Sequence, residues 1–370
     1  MKVAFCIRAD YNKNIGGDSI QCLKTKENLE KLYDIHVDIV TQIDELNNSY
    51  DLIHIFNLAT LAETKAFFKK AVSLKNVKIA LSPIFWNYYY PATKDVAKIF
   101  NFNIPTREWH TQASLGIIKT ISLLLKKPWA VSSPFKKFCR ECIEYSDIIL
   151  PNSIEELSEL ENFVNLPAGS LNQKHHVVLN GTEFSEHNYE NFEPEFNLPS
   201  NFILQVGRIE FLKNQLNIVK ALFNNPEIPI VFIGRVNDEA YANKLYKISK
   251  LRGNVFFFSE VPHEKVFFFY KKAALHILPS FRESPGLVSL EALSQGCKIV
   301  VADKRFTPVE SYFKNIATVI NPSSLSSIKN GVLHEMNMQR DMTAINNFIR
   351  NAFTWPNAAK ATFEAYKKLY

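Results

Sequence analysis

The sequence lacks an apolar run of membrane-spanning length and the cysteine pattern of a disulfide framework, and its first residues favour a strand over a signal peptide. No apolar stretch approaches the ~20 residues that are needed to cross a bilayer, and the amino-terminal MKVAFCIRAD is typical of a first strand. The five cysteines are an odd number, which fits a reducing compartment. Cys139 and Cys142 form a lone CxxC without a second pair or a histidine at ligand spacing, which favours two thiols on a helix face. We expect a cytoplasmic protein.

The sequence also has no strong charge excess, no DxD motif and no GxGxxG motif. A net charge of +6 is too small to indicate a nucleic-acid partner, although it favours phosphates or an anionic membrane surface. DxD is the usual carboxylate pair that holds Mg²⁺ against phosphates, so its absence predicts that positive side chains neutralise any bound phosphate, without a metal. Without GxGxxG we expect no dinucleotide-binding fold and no bound cofactor.

Length and composition favour two α/β domains. The 370 residues suit two domains of ~100–200 residues each. Apolar runs of strand length alternate with amphipathic segments of helix length, which is the pattern of parallel βα units. The predicted strands are Val3–Ile7, Val37–Val40, Leu52–Phe56, Ile79–Leu81, Ile148–Leu150, Val177–Leu179, Phe202–Val206, Ile230–Ile233, Val255–Phe258, Leu275–Leu278, Lys298–Val301 and Ala317–Ile320. The predicted helices include Ser19–Leu32, Leu61–Leu74, Asn214–Phe223, Glu239–Lys250, Glu264–Lys272 and Leu287–Gln295.

The strand rhythm stops and restarts once, which divides the chain. We predict a Rossmann-like domain over residues 1–185, a polar linker over 186–200 and a second Rossmann-like domain over 201–353. Two such domains that face each other form a cleft at the carboxyl ends of their strands, where ligands of these sheets bind. Functional residues are therefore expected in the loops that follow strands.

One strand-to-helix turn carries the strongest functional pattern. The strand that ends near Leu278 is followed by a loop with Glu283 and Gly286. The next helix begins near Leu287 and carries Glu291 on its second turn. Backbone N–H groups at a helix N-terminus bind phosphate, and a carboxylate on an apolar helix face needs donors, which sugar or ribose hydroxyls supply. The alternative is that both glutamates are solvated surface charges.

A second strand-to-helix turn contains two cations. Gly207 and Arg208 end a predicted strand, and Lys213 lies near the start of the next helix. A basic side chain is mildly unfavourable at a helix N-terminus, so a bound anion would explain it. Arginine binds a diphosphate by bidentate hydrogen bonds, and lysine binds it as a point charge. The alternative is a pair of ordinary surface cations.

Two segments of the first domain give weaker signals. Gly16 and Gly17 follow the first strand and allow a phosphate or a sugar to approach the backbone, although a plain tight turn explains them nearly as well. The segment Gly116–Arg140 interleaves apolar and basic residues, as in a surface that lies on an anionic membrane. We slightly favour the alternative, a helix packed on the sheet with a solvated basic edge.

At these residues the sequence resembles a known family, the retaining GT-B glycosyltransferases of family 4, or glycosyl transferases group 1. The resemblance covers most of the chain and is specific mainly after Leu204. Many members assemble bacterial surface polysaccharides and glycolipids. The matching segments are Gly16–Gly17, Asp51–His54, Val178–Gly181, Val206–Arg208, Lys213–Asn214, Pro279–Ser280, Glu283–Glu291, Gly296–Val301, Pro308–Glu310 and Trp355.

The resemblance implies both a fold and a function. The fold is α/β GT-B, in which two Rossmann-like domains with parallel sheets face each other across a cleft. A last helix, here within 354–370, crosses back to pack on the first domain. The implied function is transfer of a sugar, with retention of anomeric configuration, from a UDP- or GDP-type nucleotide sugar to a glycan or lipid-linked acceptor. Assembly of lipopolysaccharide or capsule would place the protein in the cytoplasm or at the inner face of the membrane.

The resemblance also implies roles for single residues. Arg208 and Lys213 would bind the donor diphosphate and stabilise its charge during catalysis. Glu283 would hold the transferred sugar, and Glu291 would hold the ribose. The remaining donor-binding positions are Gly17, Gly207, Ser259, Val261, Gly286 and Leu287. Of these, the loop with Ser259 and Val261 would flank the base.

The sequence departs from the family after its fourth strand. Many members have a histidine there beside the reacting carbon, whereas this chain has ALSPIFWN. Ser82, Asn87 and His110 are weak candidates for acceptor contact, and a structural role is the better interpretation for each. The sequence identifies no general base. The family mechanism is front-side attack in which the leaving phosphate helps to take the acceptor proton, so positioning and charge neutralisation supply most of the catalysis.

Two other functions fit the same fold. A nucleotide-sugar epimerase would need acid and base groups in the first domain, where we find no convincing set. A non-catalytic partner subunit would be expected to lose its donor-site residues first, yet Arg208, Lys213, Glu283 and Glu291 are all present. The sequence leaves open the sugar, the nucleotide, the acceptor and the oligomeric state.

Overall fold

The computed structural model describes residues 1–86, 133–184, 196–259 and 261–370. These residues form two compact units. Unit 1 comprises Met1–Asn180 and Trp355–Tyr370, and unit 2 comprises Gly181–Thr354. Three sets of predictions lie wholly or mostly outside the described residues, namely the linker 186–200, the acceptor candidates Asn87 and His110, and the basic, apolar segment Gly116–Arg140.

The described part of unit 1 is built on a parallel sheet of five strands in the order β2-β1-β3-β4-β5. The strands are β1 (Lys2–Cys6), β2 (His36–Val40), β3 (Leu52–Phe56), β4 (Lys78–Ser82) and β5 (Ile148–Ile149). In the central strand, Val3 lies opposite Val37 on one side and Leu52 on the other. β3 is buried along its whole length. A strand covered by helices on both faces has this nearly continuous apolar sequence.

Four helices of unit 1 precede the crossing to unit 2 within the described residues. They are α1 (Gly17–Leu32), α2 (Leu61–Ser73), α3 (Ser133–Tyr145) and α4 (Ile154–Val164). Phe135, Phe138, Cys139 and Cys142 recur at helical spacing on α3, and all are buried. Both cysteines of the CxxC pair therefore lie on the inner face of one helix, as free thiols.

The described part of unit 2 is built on a second parallel sheet, of six strands, in the order β11-β10-β9-β6-β7-β8. The strands are β6 (Ile203–Val206), β7 (Ile230–Ile233), β8 (Val255–Phe258), β9 (Leu275–Leu278), β10 (Ile299–Ala302) and β11 (Thr318–Ile320). From β6 the chain builds the sheet in one direction through β7 and β8, and then returns to β9 on the other side. Open α/β sheets bind ligands at such a switch point, outside the carboxyl ends of the strands.

Helices cover the sheet of unit 2. They are α5 (Gln215–Ala221), α6 (Glu239–Arg252), α7 (His263–Lys272), α8 (Leu287–Ser294), α9 (Val309–Tyr312), α10 (Leu325–Asn337) and α11 (Met342–Ala352), with a short 3₁₀ helix at Phe211–Lys213. Ile218 of α5, Leu245 of α6 and Val332 of α10 belong to one hydrophobic core with residues of the central strands. The side chain of Asp238 caps α6 by accepting a hydrogen bond from the Tyr241 N–H.

After α11 the chain returns to unit 1 as α12 (Trp355–Lys367). This helix packs against α1, and Tyr33 stacks on Phe363 with ring centroids 4.0 Å apart. The two parallel sheets and the returning helix confirm the predicted α/β fold class. Neither α12 nor any other helix in the described part of the chain is long and apolar enough to cross a membrane.

The prediction of a strand at Val177–Leu179 is wrong. His175 forms an isolated bridge with Ile149, and the Val178 N–H donates to the carbonyl of Pro151. β5 offers two residues for pairing before the chain reaches Pro151, and proline has no N–H for a ladder. The apolar segment therefore runs beside the edge of the sheet without extending it.

A buried polar network links the sheet of unit 1 to α12. His54 of β3 is hydrogen-bonded through Nδ1 to the Tyr366 hydroxyl at 2.7 Å and through Nε2 to the Ser82 hydroxyl at 2.8 Å. A neutral imidazole has one donor and one acceptor nitrogen, and hydroxyl groups can satisfy both. Burial lowers the pKa of His54 to about 3. The histidine is therefore an uncharged connector between β3, β4 and α12.

We predict that the free energy of unfolding of His54→Gln falls less steeply with acidification than that of the wild type. Histidine titrates near pH 6.5 in an unfolded chain, and burial lowers the pKa of His54 to about 3 in the folded protein. Between these values the unfolded chain binds a proton that the folded chain does not bind, so this group makes stability fall as the pH drops below about 6.5. Removing it should reduce the slope by up to about 1.4 kcal/mol per pH unit.

Urea denaturation between about pH 7 and pH 5 measures this slope. His36→Gln is the control, because His36 is an exposed histidine of the same unit and its removal takes away no buried imidazole. A wild-type slope in His54→Gln would show that His54 makes no contribution to the acid sensitivity of the fold.

Candidate functional site

The switch point of unit 2 brings the two predicted motif loops together. β6 and β9 are parallel neighbours, so the loops 207–214 and 279–286 leave the same edge of the sheet. The Phe281 N–H donates to the carbonyl of Leu212 at 2.8 Å. The two loops therefore form one connected structure at the place where ligands bind in sheets of this topology.

Lys213 and Glu283 form an ion pair between these loops. Lys213 Nζ lies 2.6 Å from Glu283 Oε1, and the two side chains are 19% and 8% exposed. The backbone holds both ends, because Gln205 Nε2 donates to the Lys213 carbonyl and the Glu283 N–H donates to the Phe306 carbonyl. The burial of Glu283 excludes its interpretation as a solvated surface charge.

Arg208 lies at the exposed rim of the site. Its side chain is 50% exposed, and a guanidinium nitrogen lies 3.2 Å from Glu210 Oε1. Glu210 Oε2 accepts a hydrogen bond from Asn237 Nδ2 at 2.6 Å, which fixes that carboxylate. A guanidinium has several N–H donors in one plane. Arg208 can therefore bind an anion from solvent while it keeps its contact with Glu210.

A close approach of two glycines shapes the ends of β6 and β7. Gly207 and Gly234 follow these neighbouring strands, each with a φ of 147°. A Cβ on Gly234 would lie 2.2 Å from the carbonyl oxygen of Gly207, so a larger residue does not fit. Gly207 is among the predicted site residues, whereas Gly234 is not. The one sequence signal for Gly234 is its position directly after the apolar run Ile230–Ile233.

The N-terminus of α8 completes the switch-point edge. Gly286 precedes the helix with a φ of 90°, and a Cβ there would lie 2.9 Å from a methyl group of Leu278. No side chain among the described residues caps this helix. The first N–H groups of a helix have no partner within it. This is the geometry that the predicted phosphate contact at Gly286 and Leu287 requires.

Glu291 is buried and is held by two side chains of α7. His263 Nε2 lies 3.0 Å from Oε1, and the Tyr270 hydroxyl donates to Oε2 at 3.1 Å. Burial is the main reason that the pKa of Tyr270 is raised well above its usual range, and the Glu291 carboxylate contributes. Tyr270 therefore remains a protonated donor. The protein itself therefore supplies two hydrogen-bonding partners to this buried carboxylate.

His263 and Tyr270 are not among the predicted site residues, although their spacing carries a signal. The two residues are seven positions apart, which is two turns of a helix, so they lie on one face of α7. The packing of α7 against α8 turns that face toward Glu291. Sequence patterns do not reveal which helices pack together, so the partner of this face stayed unknown.

An uncharged histidine lies beneath this part of the site. The ring of His276 on β9 contacts the ring of Tyr270 edge to face, with centroids 5.5 Å apart. Burial lowers the pKa of His276 to about 3, and the positive charge of Lys213 is a smaller cause. The floor of the site is therefore neutral, and Glu283 is the acidic group that compensates Lys213.

The loop that is predicted to flank the base leads directly to this cluster. Ser259 follows β8 and is exposed, and Val261 is partly exposed. Two residues later, His263 begins α7. Ser259 and Val261 are therefore adjacent in the chain to a partner of Glu291, the residue predicted to hold the ribose.

Unit 1 has its own switch point, between β1 and β3. Arg8, after β1, donates to Asp18 Oδ2 at 2.8 Å, and Asn57, after β3, donates to the same oxygen at 3.0 Å. Asp18 is next to Gly17 in the first turn of α1. The turn with Gly16 and Gly17 thus carries a carboxylate–guanidinium pair that the motif analysis did not identify.

Of the three residues predicted to contact the acceptor, the structure describes one, and that residue is not accessible. Ser82 is buried, and its hydroxyl is bonded to His54. Asn87 and His110 lie outside the described residues. Within the ranges that the structure describes, no group of three or more His, Cys, Asp or Glu residues could hold a metal ion.

Solved structures that resemble the chain define its fold as GT-B. Sucrose-phosphate synthase from Thermosynechococcus elongatus gives a TM-score of 0.73 at 15% identity, over 100% of this chain and 99% of that chain. Anabaena HepE in complex with UDP and glucose gives 0.65 at 12% identity, over 100% of both chains. The lipopolysaccharide outer core galactosyltransferase WaaB gives 0.63 at 16% identity, also over 100% of both chains.

A family model identifies a particular domain within this fold. Residues 188–353 match the family described as glycosyl transferases group 1. No curated protein matches the chain. The matched domain contains the switch-point site of unit 2. Together with the GT-B fold, this match supports the interpretation that the protein is a GT-B glycosyltransferase.

We predict that Lys213→Met destabilises unit 2. The substitution leaves a carboxylate that is 8% exposed without its cation. An uncompensated buried charge costs about 3 kcal/mol. Adding Glu283→Gln to Lys213→Met removes the orphaned charge and should recover most of the loss. Urea denaturation of the full chain measures both effects.

Lys314→Met is the matched control for this prediction. Lys314 forms an ion pair of 2.9 Å with Glu310, but both side chains are more than half exposed. Exposed pairs contribute little to stability, so this variant should unfold like the wild type. Equal stability of Lys213→Met and the wild type would show that the Lys213–Glu283 pair does not stabilise the fold.

Proposed function

We propose that the protein is a retaining glycosyltransferase that moves a sugar from a nucleotide diphosphate to a glycan or lipid-linked acceptor without a metal ion. The proposal depends on one observation, the cluster of Arg208, Lys213, Glu283 and Glu291 at the switch point of unit 2. Two cations, two buried carboxylates and an uncapped helix N-terminus suit a diphosphate with a sugar on one side and a ribose on the other.

In this proposal the cations bind the donor diphosphate. The Lys213 ammonium has more N–H donors than its contact with Glu283 uses, so it can also bind phosphate oxygens. Arg208 presents its guanidinium at the rim, where bidentate bonds to a phosphate can form. The backbone at Gly286 and Leu287 adds donors at the N-terminus of α8. No divalent cation is needed when these groups neutralise the phosphates.

The two carboxylates take the sugars at either end of the diphosphate. Glu283 accepts hydrogen bonds from hydroxyls of the transferred sugar, and Glu291 accepts them from the ribose. Negative charge grows on the leaving diphosphate as the glycosidic bond breaks, so Arg208 and Lys213 bind the transition state more strongly than the ground state. The leaving phosphate takes the acceptor proton in a front-side attack, which preserves the anomeric configuration.

The donor type and the acceptor are proposed from the related proteins. HepE binds UDP and glucose in its structure, which supports a UDP-type donor, with GDP as the other candidate. WaaB is named as a galactosyltransferase of the lipopolysaccharide outer core, which supports a precursor of a bacterial surface polysaccharide as acceptor. Peripheral contact with the anionic inner face of the membrane, where a lipid-linked acceptor is found, belongs to the same proposal.

We predict that donor binding requires both Arg208 and Glu291. Calorimetric titration with UDP-glucose and with GDP-mannose, in the presence of EDTA, should show that the wild type binds one of them. Arg208→Ala and Glu291→Ala should each weaken that binding by about 10- to 100-fold, because a hydrogen bond to a charged group contributes about 1.5–3 kcal/mol. Lys314→Ala and Glu310→Ala remove exposed charges of the same unit and should bind like the wild type.

A wild type that binds neither donor at millimolar concentration would remove the main support for a transferase. The interpretation as a non-catalytic partner subunit would then become the better one. Binding that disappears only in EDTA would overturn the metal-independent part of the proposal alone.

A second prediction concerns stereochemistry. Glycosyltransferases can transfer the donor sugar slowly to water, and proton NMR distinguishes the anomer that forms first from the one that appears later by mutarotation. An α-linked donor should first release the α sugar if configuration is retained, with or without EDTA. First release of the β sugar would exclude retention. Conversion of UDP-glucose into an epimer that is still attached to UDP would indicate an epimerase instead.

A further inference from the structure

The carboxylate of Glu291 is held by two side chains of α7 that differ in exposure. Tyr270 donates to Oε2 and is fully buried, whereas His263 lies 3.0 Å from Oε1 with its side chain 50% exposed. Tyr270 is therefore a fixed contact in the core. His263 is the contact on the side from which a ligand reaches the carboxylate.

The position of His263 restricts its ring. It is the first residue of α7, and its ring meets that of Phe267, one turn further along the helix, edge to face at 5.2 Å. On the opposite side, His263 Nδ1 lies 3.9 Å from a carboxylate oxygen of Glu183. Two carboxylates among the described residues of unit 2, those of Glu183 and Glu291, therefore face this imidazole. A carboxylate only accepts hydrogen bonds, so the 3.0 Å contact with Glu291 requires the proton on Nε2.

The two contacts leave Glu291 with unused acceptor capacity. A carboxylate has about four lone-pair positions, and Tyr270 and His263 occupy one on each oxygen. The remaining position on each oxygen can accept from the adjacent hydroxyls of a ribose. The hydroxyls need the carboxylate in one fixed rotation, because a pair of hydrogen bonds to both oxygens fails when the carboxylate turns.

We propose that His263 is a positioning residue that fixes Glu291 for recognition of the donor ribose. This inference rests on the proposed function. Without His263 the carboxylate keeps the hydrogen bond from Tyr270 at Oε2 but loses the contact at Oε1, so it turns more easily about its Cγ–Cδ bond. The ribose hydroxyls then have to order the carboxylate when they bind, which reduces the binding free energy that each hydroxyl contributes. His263 therefore increases the discrimination between a ribose and a 2′-deoxyribose.

Binding of UDP and 2′-deoxy-UDP tests this role, with GDP and 2′-deoxy-GDP measured in parallel. The quantity of interest is the ratio of the two dissociation constants for each nucleotide pair. Loss of a hydrogen bond to a charged group should make the 2′-deoxy nucleotide about 10-fold weaker or more in the wild type. In His263→Leu the ratio should fall by at least about 3-fold, and in Glu291→Ala it should approach unity.

Conservative variants separate positioning from a general effect on the fold. The amide nitrogen of glutamine can occupy the place of histidine Nε2, so His263→Gln should restore the ratio. The amide of asparagine reaches only as far as Nδ1, so His263→Asn should behave like His263→Leu. His36→Leu is the control, because His36 Nε2 also lies 3.1 Å from a carboxylate, that of Asp38 in unit 1, and its loss should not change the ratio.

Each outcome supports or overturns the inference. A wild-type ratio in His263→Leu, with a ratio near unity in Glu291→Ala, overturns the role of His263 and keeps the proposed donor site. An equal weakening of both nucleotides in His263→Leu, with an unchanged ratio, assigns His263 a structural role and also overturns the inference. If the wild type binds neither UDP nor GDP, the proposed function fails, and the inference fails with it.

Discussion

The parallel pairing of β6 with β9 is the constraint on which the candidate site depends. These strands are neighbours in space but are separated in the chain by β7, β8 and their helices. Their pairing brings together Lys213 and Glu283, which are 70 positions apart. It also places Arg208 and the N-terminus of α8 at the same edge. Without this topology the two motifs would be two unrelated turns on the surface of the protein.

The two buried carboxylates of the site differ in what neutralises them. Glu283 is paired with a cation, Lys213, whereas Glu291 receives hydrogen bonds from His263 and Tyr270. Removing a partner therefore has different consequences. An unpaired Glu283 is an uncompensated charge in a largely buried place, while Glu291 loses orientation and keeps a second donor.

Sequence patterns predicted most of the fold and the part of the site that lies in the two motif loops, because both depend on local features. An apolar run with turn residues on both sides predicts a strand, and eleven of the twelve predicted strands overlap strands of the structure. Val177–Leu179 has the same pattern but lacks a pairing partner. His263, Gly234 and Arg8 were missed for a related reason. Each is defined by a neighbour that is distant in the chain, and no local pattern identifies that neighbour.

The return of the chain to unit 1 has a consequence for biosynthesis. Tyr366 of α12 contacts His54, and α12 packs against α1. A ribosome makes α12 after the whole of unit 2, which is one continuous segment, Gly181–Thr354. Unit 2 can therefore be completed before α12 is made, whereas unit 1 has to wait for α12. The half that is synthesised first is the half that is finished last.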